Sequence, residues 1–148
     1  MNYINEAMEY LTSYKDLKIA IENLNEKEIK LNERLYGLRS GNFNGMPKGK
    51  SVEADDILVN TIFQLDQTRK FIKETEDKIK EIDDVLKNLK ENDDTEEYEK
   101  LLRLWYIEDW TKIAMTEEFN CSDRQLYRIR AKAIRKLAIQ LFGIKVIA

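Results

Sequence analysis

The chain has 148 residues, of which 36% are charged, and its formal net charge at pH 7 is −3. One Cys and no His exclude an intrachain disulfide, a structural zinc site and the Ser/His/Asp or Cys/His catalytic arrangements. With only five Gly and one Pro among recurring Leu, Ile, Lys and Glu, the composition is typical of an all-α protein with long helices.

The first predicted element is a long helix that extends from residue 2 to about residue 39. Apolar residues alternate spacings of four and three over five heptads, which is the period of a coiled-coil seam. The seam residues are Tyr3, Ala7, Tyr10, Tyr14, Leu17, Ile21, Leu24, Glu28, Leu31, Leu35 and Leu38. Glu28 is the polar exception, and a polar seam residue can fix the register of a coiled coil.

A loop at about residues 40–51 and a second long helix follow. Three Gly, two Asn and the chain's Pro interrupt the heptad there, and Ser51 is a predicted N-cap. The second seam consists of Leu58, Thr61, Leu65, Thr68, Ile72, Thr75, Ile79, Ile82, Leu86 and Leu89, widened by Ile57, Ile62, Phe71 and Val85. Two helices of similar length joined by one loop predict a long antiparallel hairpin over residues 1–91.

An acidic hinge at residues 92–97 separates the hairpin from a predicted three-helix unit at residues 98–148. Its first helix carries Tyr98, Leu101, Leu102, Trp105 and Tyr106 on one face and ends near Ile107. Thr111 is the predicted cap of the second helix, whose core side is formed by Met115 and Phe119. Asn120 stands at a sharp turn, where Asn tolerates the left-handed conformation.

The third helix of this unit is strongly basic. Ser122 and Gln125 have the spacing of a capping box, and Leu126, Ile129, Ala133 and Leu137 line one face. From Asp123 to Ala148 there are seven Lys or Arg and one acid, a local field suited to DNA phosphates. We therefore predict a helix-turn-helix whose third helix enters the major groove of double-stranded DNA.

Two groups of DNA-contacting residues follow from this interpretation. Arg can bond guanine bidentately, so the exposed face at the start of the helix is predicted to face the bases. The base-facing group is Ser122, Asp123, Arg124, Tyr127 and Arg128. The predicted phosphate contacts, which add affinity without sequence information, are Lys112, Arg130, Lys132, Arg135 and Lys136.

The stretches Tyr106–Thr111 and Cys121–Arg128 resemble sigma-factor region 4, and more closely phage late-gene transcription regulators of the RinA/ArpU type. The loop Gly45–Ser51 also resembles the Met-Pro linker of those regulators. The resemblance implies sequence-specific binding near phage or prophage promoters and contact with host RNA polymerase. The chain departs from the pattern at Met115-Thr116, where Ile-Ala is usual, at Asn120, which replaces Gly, and in its long acidic hairpin.

The expected function is a phage, prophage or mobile-element transcription regulator in the bacterial cytoplasm, possessing no enzymatic activity, cofactor or metal. A homodimer would pair two recognition helices on two half-sites. We expect neither a secretory signal nor a membrane span, since no stretch reaches the roughly 18 apolar residues a span needs. The alternative is a coiled-coil interaction module whose helix-turn-helix has lost DNA binding.

Three side chains of the C-terminal unit carry competing interpretations. Trp105 and Trp110 are interpreted as core residues rather than ligand platforms. Cys121 lies at the turn between two helices and is interpreted as a buried structural thiol rather than a redox sensor. Tyr127 is open between a DNA contact and surface packing.

Overall fold

A computed structural model describes residues 2–40, 51–89 and 96–148, apart from the side chains of residues 51–54 and 96. Every regular element in these ranges is helical, which confirms the predicted all-α class. The helices are α1 (Tyr3–Arg39), α2 (Ser51–Asn88), α3 (Glu96–Leu102), α4 (Lys112–Phe119) and α5 (Asp123–Phe142). A π-helix, Arg103–Ile107, follows α3, and a 3₁₀ turn, Gly143–Val146, follows α5.

Two predicted connections lie largely outside the described residues. These are the loop at residues 40–51 and the acidic hinge at residues 92–97, together with the Ser51 cap and the Met-Pro segment. The antiparallel hairpin and the helix-turn-helix arrangement stay predictions.

The predicted seam residues of both long helices are covered, although other residues are covered as well. Every seam position of α1 and α2 is buried or half-buried, including the polar Glu28, Thr61 and Thr68. The widened stripe was partly wrong, since Ile57, Ile62 and Val85 are half-buried but Phe71 is 49% exposed. Phe71 directly precedes the buried Ile72, and a rotation of about 100° per residue carries it off the covered stripe.

The contacts divide the chain into two compact units, and this division differs from the predicted one. The first unit combines Met1–Leu17 with Lys78–Ala148, and the second is Lys18–Asp77. An uninterrupted heptad gives no sign of a boundary inside either long helix. The start of α1 and the end of α2 therefore belong to the same unit as α3, α4 and α5.

The first unit has a continuous apolar core to which all five α-helices contribute. Leu11 of α1, Leu86 of α2, Leu101 of α3, Met115 of α4 and Leu126 of α5 are almost completely buried in it. Burial of each such side chain stabilises the fold by roughly 1.5–3 kcal/mol relative to exposure. Leu11 lies outside the predicted seam. It is buried because α1 packs here against α5, through Tyr3 and Phe142, as well as against α2, through Tyr14 and Asp83.

A polar network inside the first unit connects α1, α2, α3 and the π-helix. The Tyr14 hydroxyl lies 2.9 and 3.0 Å from the two carboxylate oxygens of Asp83. Arg103 of the π-helix donates to Asp83 at 3.1 Å and, through Nε, to the buried Glu99 at 2.9 Å. Burial alone would lower the pKa of Arg103, but the hydrogen bonds to the two carboxylates outweigh it and raise that pKa.

Among the residues of the second unit that the structure describes, few side chains are buried. They are Leu31, Leu65, Ile72 and the threonines Thr61 and Thr68, whose hydroxyls donate to the Ile57 and Gln64 carbonyls at 2.7 and 2.8 Å. The seam residue Glu28 forms an ion pair with Arg69 at 3.7 Å. Glu28 therefore has a specific partner on α2, as a residue that fixes the register of a coiled coil needs.

Among the helices of the described residues, none combines the length and the apolar character that crossing a membrane requires.

We predict that Asp83→Ala lowers the free energy of unfolding by about 2 kcal/mol, because it removes the shared acceptor of Tyr14 and Arg103. The neighbouring Asp84, whose exposed ion pair with Lys80 is 3.7 Å long, supplies the matched control. Asp84→Ala should cost less than about 0.5 kcal/mol. Urea denaturation followed by circular dichroism measures both, and equal losses would contradict the assigned network.

Candidate nucleic-acid interface

Helix α4 begins and ends at residues that the sequence predicts to be its cap and its turn. The Thr111 hydroxyl accepts a hydrogen bond from the Ala114 amide at 3.2 Å, which confirms the cap. At the other end Asn120 has a φ of 49° and the left-handed conformation. The Cys121 amide then donates to the Thr116 carbonyl at 3.1 Å, so this turn ends α4 and leads directly into α5.

Helix α5 starts at a second side-chain cap. The Ser122 hydroxyl accepts from the Gln125 amide at 3.2 Å, which confirms Ser122 as the N-cap. An N-cap satisfies one of the otherwise unpaired amides of the first turn and fixes where the helix begins. Ser122 therefore fixes where α5 begins, and the buried face of the helix then fixes the directions of its side chains.

The buried side of α5 is well defined. Leu126, Ala133 and Leu137 are buried as predicted, Ile129 is half-buried, and Ile134 and Ala138 complete the buried face. This face packs against α3 and α4, and the apolar cluster of the first unit includes it. All five predicted base-facing residues are exposed, namely Ser122, Asp123, Arg124, Tyr127 and Arg128.

The predicted phosphate contacts are divided between two environments. Lys112, Lys132 and Arg135 are exposed, and Lys136 is half-buried. Arg130 is half-buried, and its Nε is fully covered and has no hydrogen-bond partner among the described residues. Arg130 lies four residues after Leu126 and three before Ala133, which places it on the buried side of the helix.

An aromatic–cation cluster lies beside the exposed face of α5. We use this name for Trp105 of the π-helix, Lys112 of α4, and Tyr127 and Arg130 of α5. Trp105 and Tyr127 meet edge to face, with ring centroids 5.4 Å apart. The Arg130 guanidinium lies 4.8 Å from the Trp105 centroid and 5.5 Å from that of Tyr127, and the Lys112 ammonium lies 4.9 Å from the Tyr127 centroid.

The two tryptophans differ in burial. Trp105 is half-buried against the core, in line with its interpretation as a core residue. Trp110 is 40% exposed, so its assignment to the core was wrong. Trp110 lies in the turn before α4, where Asp109 has a φ of 52°. The Trp110 amide donates to the Leu104 carbonyl at 3.0 Å. This turn leaves much of the Trp110 ring uncovered.

Two titratable groups beside the interface have perturbed pKa values. Burial raises the pKa of the half-buried Cys121 thiol, and the charges of Glu97 and Asp123 raise it further. A raised pKa disfavours the reactive thiolate. Cys121 was interpreted as a buried thiol, and it is only half-buried. Burial also raises the pKa of the Tyr106 hydroxyl, and the charge of Arg130 opposes that shift.

Sequence reasoning missed the π-helix and the aromatic–cation cluster. In the π-helix the Glu108 amide donates to the Arg103 carbonyl, five residues earlier, at 2.9 Å. No residue pattern in this segment predicts such a hydrogen bond. For Arg130 a signal was present, since its spacing from Leu126 and Ala133 already assigns it to the core side of α5.

We predict that Ser122→Ala lowers the free energy of unfolding by about 1 kcal/mol, because the Gln125 amide loses its acceptor. Ser122→Asp is the matched control, since Asp also caps helices and its charge is favourable at a helix N-terminus. Thermal and urea unfolding measure both variants. An unchanged Ser122→Ala protein would show that the cap contributes nothing.

Comparison with known families gives one match. Residues 41–138 match the model of the DUF1492 family, described as proteins of unknown function. The match covers about two thirds of the 148 residues and ends within α5, so the chain belongs to this family. No curated protein and no solved structure matches the chain.

Proposed function

We propose that the protein is a sequence-specific, double-stranded-DNA-binding transcription regulator of a phage, prophage or mobile element. In this proposal the start of α5 enters the major groove. The observation that supports it most is the division of α5 into two sides. A capped start and a buried apolar face leave Arg124, Tyr127 and Arg128 together on the exposed side.

Arg124 and Arg128 are the proposed base-reading residues. They are four positions apart on α5, so their side chains project from the same face of the helix. Both are exposed. Their guanidinium groups are therefore available for bidentate hydrogen bonds to guanine O6 and N7.

The phosphate contacts are proposed for the other cations of α4 and α5. Lys112, Lys132 and Arg135 are exposed and Lys136 is half-buried. Cations beside a groove-reading helix neutralise phosphates and release counterions, which gives affinity that falls steeply with salt. The promoter setting and the contact with host RNA polymerase are inferred from the resemblance to phage regulators, and the bacterial cytoplasm is the compartment this function implies.

We predict different effects for the two kinds of contact. Arg124→Ala and Arg128→Ala should each reduce affinity for the preferred site by about 1–3 kcal/mol and relax base preference there. Lys132→Ala should weaken binding to all duplexes alike and reduce the slope of log affinity against log salt by about 0.9. Fluorescence anisotropy with preferred and scrambled duplexes at several salt concentrations measures both effects.

Lys73→Ala is the control for this series, because Lys73 is an exposed cation of α2 in the second unit. It should leave site affinity and salt slope unchanged. If none of the three α5 substitutions changed binding, the assignment of α5 as the recognition helix would fail.

We further propose a homodimer that forms through the second unit. That unit exposes six large apolar side chains, with exposed fractions of 49–76%: Ile19, Ile29, Tyr36, Val59, Phe63 and Phe71. Large apolar side chains left exposed in this way are typical of surfaces that bind another protein. Val59 and Phe63 are four residues apart on α2 and share a face.

We predict that Phe63→Asp converts a dimer into a monomer without loss of helical content, because it places a charge on the exposed apolar surface. Asn60→Asp is the matched control, an exposed position on the same helix with the same introduced charge. Sedimentation velocity at micromolar concentration measures both. A monomeric parent, or a Phe63→Asp protein that remains dimeric, would contradict an interface at this surface.

The alternative is an interaction module without DNA binding, and the same exposed apolar side chains favour it. The two functions differ in their response to salt. A regulator gains affinity for duplex DNA as salt is lowered and retains preference among sequences, whereas a pure interaction module shows no sequence preference at any salt concentration.

A further inference from the structure

We propose that Arg130 is a positioning residue that orients Tyr127 for DNA recognition and does not itself contact a phosphate. The proposal rests on the proposed function, since it assigns a role within the same interface. It separates Arg130 from the other basic residues of α5 by the side of the helix on which it lies and by what it touches.

Arg130 lies on the buried side of α5. Leu126, Arg130, Ala133 and Leu137 follow one another at spacings of four, three and four, and the three apolar members are buried. Such spacings keep side chains on one face of a helix. Arg124, Arg128 and Arg135 belong to the other side, so the surface that would meet DNA is not the surface that carries Arg130.

The Nε of Arg130 is covered and does not face solvent. This donor has essentially no solvent exposure and no hydrogen-bond partner among the described residues. An arginine that clamps a phosphate presents its donors outward in a planar fork. Here the guanidinium instead lies over the rings of Trp105 and Tyr127, at 4.8 and 5.5 Å from their centroids.

The contacts of the Tyr127 ring within the cluster supply the mechanism. Tyr127 is the member of the cluster that lies on the base-facing surface, and it is 37% exposed. Its ring meets Trp105 edge to face and carries the cations of both Lys112 and Arg130 within 5.5 Å. Arg130 therefore helps to fix the orientation of the Tyr127 ring. Because Lys112 at the start of α4 also contacts this ring, the ring holds the start of α4 beside the exposed face of α5.

This role predicts a separation between specific and nonspecific binding. Phosphate contacts act on all sequences alike, whereas the orientation of a base-facing side chain matters for the preferred site. Loss of Arg130 should thus reduce specific affinity and leave the electrostatic part of binding unchanged. A residue with a direct phosphate contact would behave in the opposite way.

The test compares Arg130→Gln and Arg130→Lys with Lys132→Gln, an exposed cation two residues along the same helix. Each full-length variant is titrated with the preferred duplex and with a scrambled duplex of equal length, over a series of salt concentrations. The emission of Trp105 is recorded without DNA in a Trp110→Phe background, because the chain has only these two tryptophans.

Arg130→Gln should lower affinity for the preferred duplex about tenfold, the size expected for a lost cation–π contact that orders a recognition side chain. Its salt slope and its affinity for the scrambled duplex should match those of the parent, and the Trp105 emission should shift. Lys132→Gln should lower both affinities together, reduce the slope by about 0.9 and leave Trp105 emission unchanged.

Arg130→Lys keeps the charge and decides the matter if the Gln variant does not fold. A loss of specific affinity despite the retained charge supports positioning, because a lysine cannot supply the planar stacking group. Parent-like affinity in this variant, a reduced salt slope in Arg130→Gln, or an unchanged Trp105 emission would each overturn the proposal. A parent protein that binds no duplex would instead overturn the proposed function, and the emission shift would still report whether Arg130 stacks on Trp105.

Discussion

The buried face of α5 is the constraint on which the proposed interface depends. Leu126, Ala133 and Leu137 have to enter the apolar core of the first unit, and the Ser122 cap fixes where the helix that carries them begins. With start and rotation both determined, the direction of each basic side chain follows. Arg124 and Arg128 project outward for the same reason that Arg130 does not. One helix thus carries cations in two environments, and their proposed roles differ accordingly.

The polar network of the first unit supports this arrangement from the side of α1, α2 and α3. Asp83 of α2 accepts from Tyr14 of α1 and from Arg103 of the π-helix, and Arg103 also binds Glu99 of α3. These bonds join the ends of the long helices to the segment that holds Trp105. Because half-buried charged groups are costly when one partner is lost, the network favours one packing of these helices over alternatives. The Trp105 ring, whose centroid lies 4.8 Å from the Arg130 guanidinium, is thereby part of a well-defined framework.

The sequence alone predicts much of the fold because the signals involved are local. All positions that the heptads predict for the seams of α1 and α2 are buried or half-buried. The caps at Thr111 and Ser122 and the turn at Asn120 follow from side-chain chemistry. Phe71 and Trp110 were misassigned because apolar character alone does not say whether a partner covers a side chain. The division into two units was missed because the heptad continues through it. The π-helix and the ring contacts depend on three-dimensional packing. Arg130 was assigned to the phosphate contacts because it is basic, although its spacing from Leu126 and Ala133 places it on the buried side of α5.

Whether α5 reads DNA sequence, as we propose, is tested by one binding measurement. A fluorescent duplex library drawn from the DNA that flanks the protein's own gene is titrated with the full-length chain at two salt concentrations. We expect tight binding to one subset of duplexes, with an affinity that falls steeply as salt is raised. Uniform weak attraction to all duplexes, lost at the higher salt concentration, would contradict it and would identify the protein as an interaction module.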